Sequence, residues 1–298
     1  MRKKFRIIFA LTIVMLLWVM TVSGNDIDQL TTIGDVNSYL LKLFPKLKDY
    51  GDLLDASKPM PKDFGKNKFY KLDLDGNGRT DLLIDGTSSL AVLDYGSKDL
   101  RMEFIDRGAF DLSKFTIVGV RYEDKTPLIV VKNYDERDAK PIPGSSEKVL
   151  VFKFGGFVEY NSKPDNLKVK RIKFGTSGCF GSCPVYDLSI TQDGSATYVA
   201  KRYNKVQEGT YKDTIAPEAL ATVIETINYL NLSNLKNEYS VPWTDDQAST
   251  LEVTYDSGMV KKISDYGMIG TFGLTTLYQQ LASFRSSRTW ERISNKVN

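Results

Sequence analysis

In residues 69–160 every apolar run is short, and Gly, Asp, Asn, Ser or Pro stands between each run and the next. The runs fall at 69–72, 82–84, 90–93, 102–105, 115–121, 128–132, 149–154 and 157–160. A helix needs an apolar stripe sustained over about 10–12 residues, so runs of this length read as strands. The region also holds a faint internal repeat. The pattern of 69–105 returns over 115–160, with 121–126 in place of an acidic loop and an insertion at 133–148 rich in charge, Pro, Gly and Ser. Two copies are too few for a closed propeller, which takes at least about four blades. The expectation is a small, mainly antiparallel β domain.

Within the first copy, Asp73-Leu74-Asp75-Gly76-Asn77-Gly78-Arg79-Thr80-Asp81 concentrates oxygen donors. Calcium loops of helix–loop–helix proteins take ligands at positions 1, 3, 5, 7 (a backbone carbonyl) and 9, with Gly at 6 for the sharp turn. Counted from Asp73, those slots hold Asp75, Asn77, Gly78, the Arg79 carbonyl and Asp81. Three carboxylates this close repel one another, so a cation would stabilise the loop. The bland reading is an Asn-Gly hairpin turn with acidic neighbours. That turn needs one Gly and one Asp, not every oxygen slot.

Position 12, where a helix–loop–helix site places a bidentate Glu, is Ile84, and the flanks read as strands. The segment therefore resembles the DxDGNGxxDL loop of integrin-type FG-GAP repeats, in which the metal ties a strand–loop–strand unit. The resemblance implies a structural calcium ion bound by Asp73, Asp75, Asn77, Arg79 and Asp81. Ligand count and context place it in the weak extracellular class, on the order of 10⁻⁴–10⁻³ M.

The first 24 residues read as an export signal. Arg2, Lys3, Lys4 and Arg6 precede an apolar stretch at 7–20, and Val22-Ser23-Gly24 ends in a small residue. Cleavage there would begin the mature chain at Asn25. The alternative is an uncleaved anchor, although the stretch is shorter than the roughly 20 residues a spanning helix needs. No Cys follows it closely, which excludes lipid modification at a new N-terminus. Loss of the four basic residues takes the formal charge from +3 to −1. No basic patch then argues for nucleic acid. What remains is long enough for two domains at about 150 residues each: 25–160, and 168–298 beyond a linker at 161–167. Before the strands, Asp35 is placed to cap a helix with Val36, Tyr39, Leu40 and Leu43 on its apolar face, ended by Pro45. Residues 26–34 read as a polar lead-in and 51–67 as a loop.

Past the linker the pattern is ββα, twice. A hairpin at 185–203 turns at Asp193-Gly194, a strand follows near 205–211, and a helix starts at Pro217 with Leu220, Val223, Ile224 and Ile227 on one face. A second hairpin, 251–255 with 260–263, turns at Ser257-Gly258, and a second helix carries Leu274, Leu277, Tyr278, Leu281 and Phe284. Two helices over one face of an antiparallel sheet bury both stripes. The expected fold class is α+β.

The only two cysteines, Cys179 and Cys183, enclose Phe-Gly-Ser. In an exported protein they are expected to be oxidised to each other. A redox pair and free thiols are the alternatives, and the usual redox motif has two intervening residues rather than three. The run Cys179-Phe-Gly-Ser-Cys183-Pro-Val-Tyr186, with Asp193-Gly194, Thr244-Asp245-Asp246 and Asp265-Tyr266-Gly267, resembles an uncharacterised domain of exported bacterial proteins over about 168–290. That resemblance carries no activity with it.

The chain has no histidine. This removes Ser-His-Asp and Cys-His hydrolysis, HExxH metalloproteases and His-ligated zinc. Ser145–Lys148 and Ser233–Lys236 match Ser-x-x-Lys, but no Lys-Thr-Gly or Ser-Asp-Asn accompanies them. Tyr239, Trp243, Tyr255 and Tyr266 are candidates for an aromatic platform. Asp245, Asp246 and Asp265 are candidates for an acid pair of glycosidase type, against the bland reading of core aromatics and solvated loop carboxylates. The candidate ligand surface is thus Tyr239, Trp243, Asp246, Asp265 and Tyr266. The expected function is a non-catalytic secreted or envelope protein, binding or structural, with one structural calcium site; the expected partner is envelope glycan or another envelope protein, and not nucleic acid. Its only membrane contact is the leader, if uncleaved. The alternative is an Asp-dependent hydrolase of envelope glycan or peptide.

Overall fold

The computed structural model describes residues 26–45, 69–86, 88–97, 99–105, 113–135, 140–141 and 146–294. The export signal, the loop read at 51–67 and half of the 133–148 insertion lie outside these residues. Among the described residues no helix is long and apolar enough to cross a membrane.

The fold is α+β, with mainly antiparallel sheets and, among the described residues, three α-helices. A 3-10 turn, Asp26–Gln29, leads to α1 (Ile33–Leu43). The polar lead-in is not solvated throughout, since Ile27 is fully buried. The cap of α1 is Thr32, not Asp35. Thr32 accepts the Asp35 N–H, and Asp35 returns the bond to the Thr32 N–H in a capping box. Four strands follow, β1 (Phe69–Leu72), β2 (Asp81–Asp85), β3 (Ser89–Asp94) and β4 (Leu100–Phe104), in the order 1-2-3-4. A second sheet holds β5 (Ser113–Glu123), β6 (Thr126–Asp135), β7 (Lys140–Pro141), β8 (Lys148–Lys153) and β9 (Gly156–Glu159) in the order 5-6-8-9, with β7 paired to β6. The faint repeat is therefore two meanders with four-stranded paths, the second carrying short β7 as an extra strand beside β6.

Period-two alternation decides how the meanders stack. Leu83, Ala91 and Leu93 of the first meet Ile117, Ile129, Val131, Leu150 and Phe152 of the second in one core. Leu82, Ile84, Leu90 and Val92 point the other way, onto Val36, Tyr39 and Leu40 of α1. Buried Asp85 ties the two sheets: its carboxylate accepts from the Ile117 N–H (3.1 Å) and the Thr116 hydroxyl (2.9 Å).

The remaining elements are β10 (Val169–Thr176), β11 (Val185–Thr191), β12 (Ser195–Arg202), β13 (Gly209–Thr214), α2 (Pro217–Tyr229), β14 (Glu238–Ser240), β15 (Ala248–Tyr255), β16 (Val260–Tyr266), α3 (Phe272–Ser286) and β17 (Glu291–Ser294). They form one eight-stranded sheet, ordered 14-16-15-10-11-12-13-17. The two expected hairpins are present, but they are joined by β10, which pairs with both β11 and β15. The sequence reading has no counterpart for β10. Three basic residues interrupt its apolar positions, and a register shift between Val169 and Arg171 breaks its alternation. Short β14 runs parallel to β16.

Both helices lie on one face of this sheet, where Val223, Ile227, Leu274, Leu277, Tyr278 and Leu281 share a core with Ile172, Phe174, Leu188, Tyr198 and Val253. The other side of the helix layer is covered too. Thr276 donates to Phe157 O of β9 (3.1 Å), and Glu159 accepts the Phe272 and Gly273 N–H groups at the start of α3 (both 2.9 Å). A carboxylate there satisfies two orphan donors and opposes the positive end of the helix dipole. Residues 161–167, read as a linker, are pinned along the end of α2: Asn161 bonds Tyr229, and Asp165 and Leu167 donate to Asn228. The order of layers is α1, first meander, second meander, α2 with α3, eight-stranded sheet.

Candidate functional site

The acidic loop is the turn of the β1–β2 hairpin, closed by the pairing of Leu72 with Asp81. Gly76 (φ 76°) and Gly78 (φ 81°) occupy the left-handed region, which is why the loop can curl around its own side chains. Asp73 Oδ1 accepts the Gly76 and Asn77 N–H groups (2.8 and 3.1 Å), and its Oδ2 accepts from Gly78 (2.9 Å). Asp81 is fully buried, with Oδ2 on the Leu74 N–H and Oδ1 on the Asp94 N–H (both 2.8 Å). One oxygen from each of Asp73, Asp75 and Asp81 lies within 4.8 Å of the other two, so the group can hold a metal ion. Burial, and then the charges of Asp75 and Asp73, push the Asp81 carboxyl up to about 6. Burial also raises Asp75, and the Asp73 charge adds to it. A donor set made only of oxygens suits a hard cation.

Of the other two expected ligands, Asn77 is turned to other work, while Arg79 would offer only its backbone carbonyl. Asn77 points Nδ2 at Asp75 Oδ2 and Asp94 O (both 3.0 Å), while its Oδ1 accepts the Arg79 N–H (2.7 Å). To ligate a cation, the Asn77 amide must exchange its ends. The Arg79 guanidinium pairs with Asp94 (3.1 Å). Ile84 is buried against α1, so the twelfth position contributes packing and no ligand.

Cys179 and Cys183 lie at disulfide-bonding distance, with Cα atoms 5.7 Å apart. The ring they close projects between β10 and β11 and is fastened at its base. Gln247 Nε2 donates to Ser177 O and Pro184 O (both 2.8 Å), and the Phe180 N–H donates to Asp245 O (2.9 Å). Phe180 itself is 89% exposed. Closing so small a ring removes little chain entropy, about 2 kcal/mol, so the bond shapes this loop more than it holds the domain.

The candidate ligand surface divides. Trp243 Nε1 donates to Asp246 Oδ2 (3.0 Å), and the Asp246 N–H donates to the Tyr266 hydroxyl (3.0 Å), so these three form one network. Asp265 does not belong to any surface. It is 1% exposed and accepts the Gly270 N–H (2.9 Å). Alternation along β16 puts it on the helix side with Ile263, the signal that could have found it. Burial, reinforced by the Asp265 charge, pushes the Tyr278 phenol well above its ordinary range. Tyr239 packs against the interior cluster and Tyr255 is inside it, so neither builds a platform.

Sequence reasoning missed a groove of about 530 Å³ on the opposite, helix-free face of the eight-stranded sheet. Lys173, Asp187, Ser189, Thr197, Glu252 and Lys262 are among the residues that line it. Four of its charged residues are in ion pairs: Glu252 holds Lys262 and Lys173 (2.9 and 3.0 Å), and Asp187 holds Lys201 (2.6 Å). Bonds to Lys262 and then Lys173 lower the Glu252 carboxyl. These are the polar alternates of ordinary strands, and only the pairing of β10 with β15 brings them together.

Residues 170–285 match the family described as Domain of unknown function (DUF6438), consistent with an uncharacterised domain in this part of the chain. No curated protein and no solved structure matches the chain.

Proposed function

We propose that this is an exported, non-catalytic binding or structural protein of the cell envelope, in which one calcium ion braces the first meander. Export rests on the charged, apolar and small-residue order of residues 1–24. The observation that carries the rest is how the acidic residues divide. Asp73, Asp75 and Asp81 converge in a hairpin loop, where a cation would relieve their repulsion. Of Asp245, Asp246 and Asp265, from which a hydrolase would draw its acid pair, none lines the groove, and Asp265 is buried. Calcium fits the all-oxygen donor set, and the resemblance to FG-GAP loops supports the same ion. Asp73, Asp75 and Asp81 would bind it through carboxylates, Arg79 through its carbonyl and Asn77 through its amide oxygen.

Calcium at a few millimolar is expected to stabilise the protein by under about 1.5 kcal/mol if the dissociation constant is near millimolar, since binding to the folded state alone acts by mass action. Thermal melts with and without calcium measure the shift. Asp73→Ala combined with Asp75→Ala is expected to abolish it, and an equal shift in that variant would move the site elsewhere.

The partner is an envelope glycan or another envelope protein, met by loops on a rigid scaffold. The Cys179–Cys183 ring and the Trp243–Asp246–Tyr266 network are such loops, and the CFGxCPxY run belongs to this surface. Purified protein is expected to be retained on insoluble peptidoglycan without releasing product. Release of product that disappears with Asp246→Asn would overturn the binding reading.

A further inference from the structure

We propose that Asp94, at the end of β3 and thirteen residues beyond Asp81, is the positioning residue of the calcium loop; this rests on the calcium reading above. Asp94 touches the loop at three alternate positions through three different groups. Its N–H donates to Asp81 Oδ1 (2.8 Å), fixing the one fully buried carboxylate. Its carbonyl accepts from Asn77 Nδ2 (3.0 Å), a bond that holds the loop before the ion binds and is given up when the Asn77 amide turns its oxygen to the ion. Its carboxylate takes Arg79, with Nη2 3.2 Å from Oδ2 and Nε 3.1 Å from Oδ1. The Gly96 N–H holds the same carboxylate in place (2.7 Å), and the guanidinium lies over Gly96. Asp94 is 4% exposed, so these partners are set by the β3–β4 hairpin and not by solvent.

The consequence concerns the backbone of Arg79, whose carbonyl is the seventh-position ligand. Clamping the Arg79 side chain onto β3 fixes where that carbonyl points before any ion arrives. Outer groups that orient metal ligands typically change affinity about 10–100-fold when removed. The acidic group whose oxygens lie within 4.8 Å of one another is Asp73, Asp75 and Asp81, and Asp94 stands outside it.

The sign of one substitution separates positioning from simple charge. The Arg79–Asp94 pair is neutral as a unit. Removing Arg79 takes a positive charge away from beside the loop, so a purely coulombic role predicts tighter calcium binding. Positioning predicts weaker binding.

Calorimetric titration of the whole protein with calcium chloride tests this, at a temperature where circular dichroism shows every variant folded. Asp94→Ala is expected to weaken binding about tenfold. Arg79→Met is also expected to weaken it, and the double variant by less than the product of the two. Asp94→Asn, which keeps the acceptor for Gly96, is expected to fall between wild type and Asp94→Ala. Val158→Ala, a core truncation in β9, controls for lost stability and is expected to leave affinity unchanged. Tighter binding by Arg79→Met, or wild-type affinity in Asp94→Asn and Arg79→Met together, would overturn the inference while leaving the calcium site standing. No calcium binding by the unmodified protein would instead remove the reading on which it rests.

Discussion

Replacing Asp85 with alanine is expected to destabilise the protein by about 3–5 kcal/mol, the scale for breaking a buried, hydrogen-bonded carboxylate network. Asp85 is 1% exposed and ends β2 at the seam between the two meanders. Truncation would strand the Ile117 N–H and the Thr116 hydroxyl, both of which donate to it across the seam. Each buried donor left unpaired costs about 1–3 kcal/mol. Ser89 is affected as well: its Oγ lies 2.6 Å from Phe115 O and 3.0 Å from Asp85 Oδ1, and its single proton serves one of them at a time. Asp85→Asn keeps the shape and one acceptor and is expected to cost about 1–2 kcal/mol. Urea denaturation followed by fluorescence decides the matter. A loss below about 1 kcal/mol for the alanine variant would mean the sheets are held together by apolar contact alone.

Phe272→Ala is expected to cost about 3–5 kcal/mol, the usual range for emptying a buried aromatic site. Its more telling effect is where the loss is felt. Phe272 is the first residue of α3, yet its ring packs in the core between the two meanders, edge-on to Phe115 with centroids 5.0 Å apart. Its N–H is held by Glu159 of β9. One side chain thus belongs to a helix of the eight-stranded unit and to the core of its neighbour. Hydrogen exchange in the variant is expected to quicken in β5, β6 and β9 as well as in α3. Faster exchange confined to α3 would show that the layers unfold independently.

The local grammar was legible from residue order alone. Short apolar runs, turn residues and helical stripes are nearest-neighbour properties of the chain, so β1–β6, the hairpins 185–202 and 248–266, and all three α-helices fall where periodicity puts them. The acidic loop was equally legible, because its donors come from one continuous segment whose spacing sets their separation. The cysteine ring follows for the same reason: a five-residue span leaves the two sulfurs nowhere far to go.

Tertiary structure decided what depends on groups distant in sequence. Alternation puts Asp265 on one face of β16 with Ile263, but only the helices packed on that face make it buried rather than solvated. Strand β10 became recognisable only between β11 and β15, since its own residues are too basic to announce a buried strand. The second face of α3 carries Phe272, Gly273 and Thr276, too small and mixed a set to form a stripe, and it acquires meaning only against β9. Asp94 looks like any strand-ending aspartate until the hairpin folds it onto Asn77, Arg79 and Asp81. Spacing along a chain fixes which side chains a short segment can bring together. Which distant segments share a face depends on the summed burial of the whole fold, and no single stretch of residues records it.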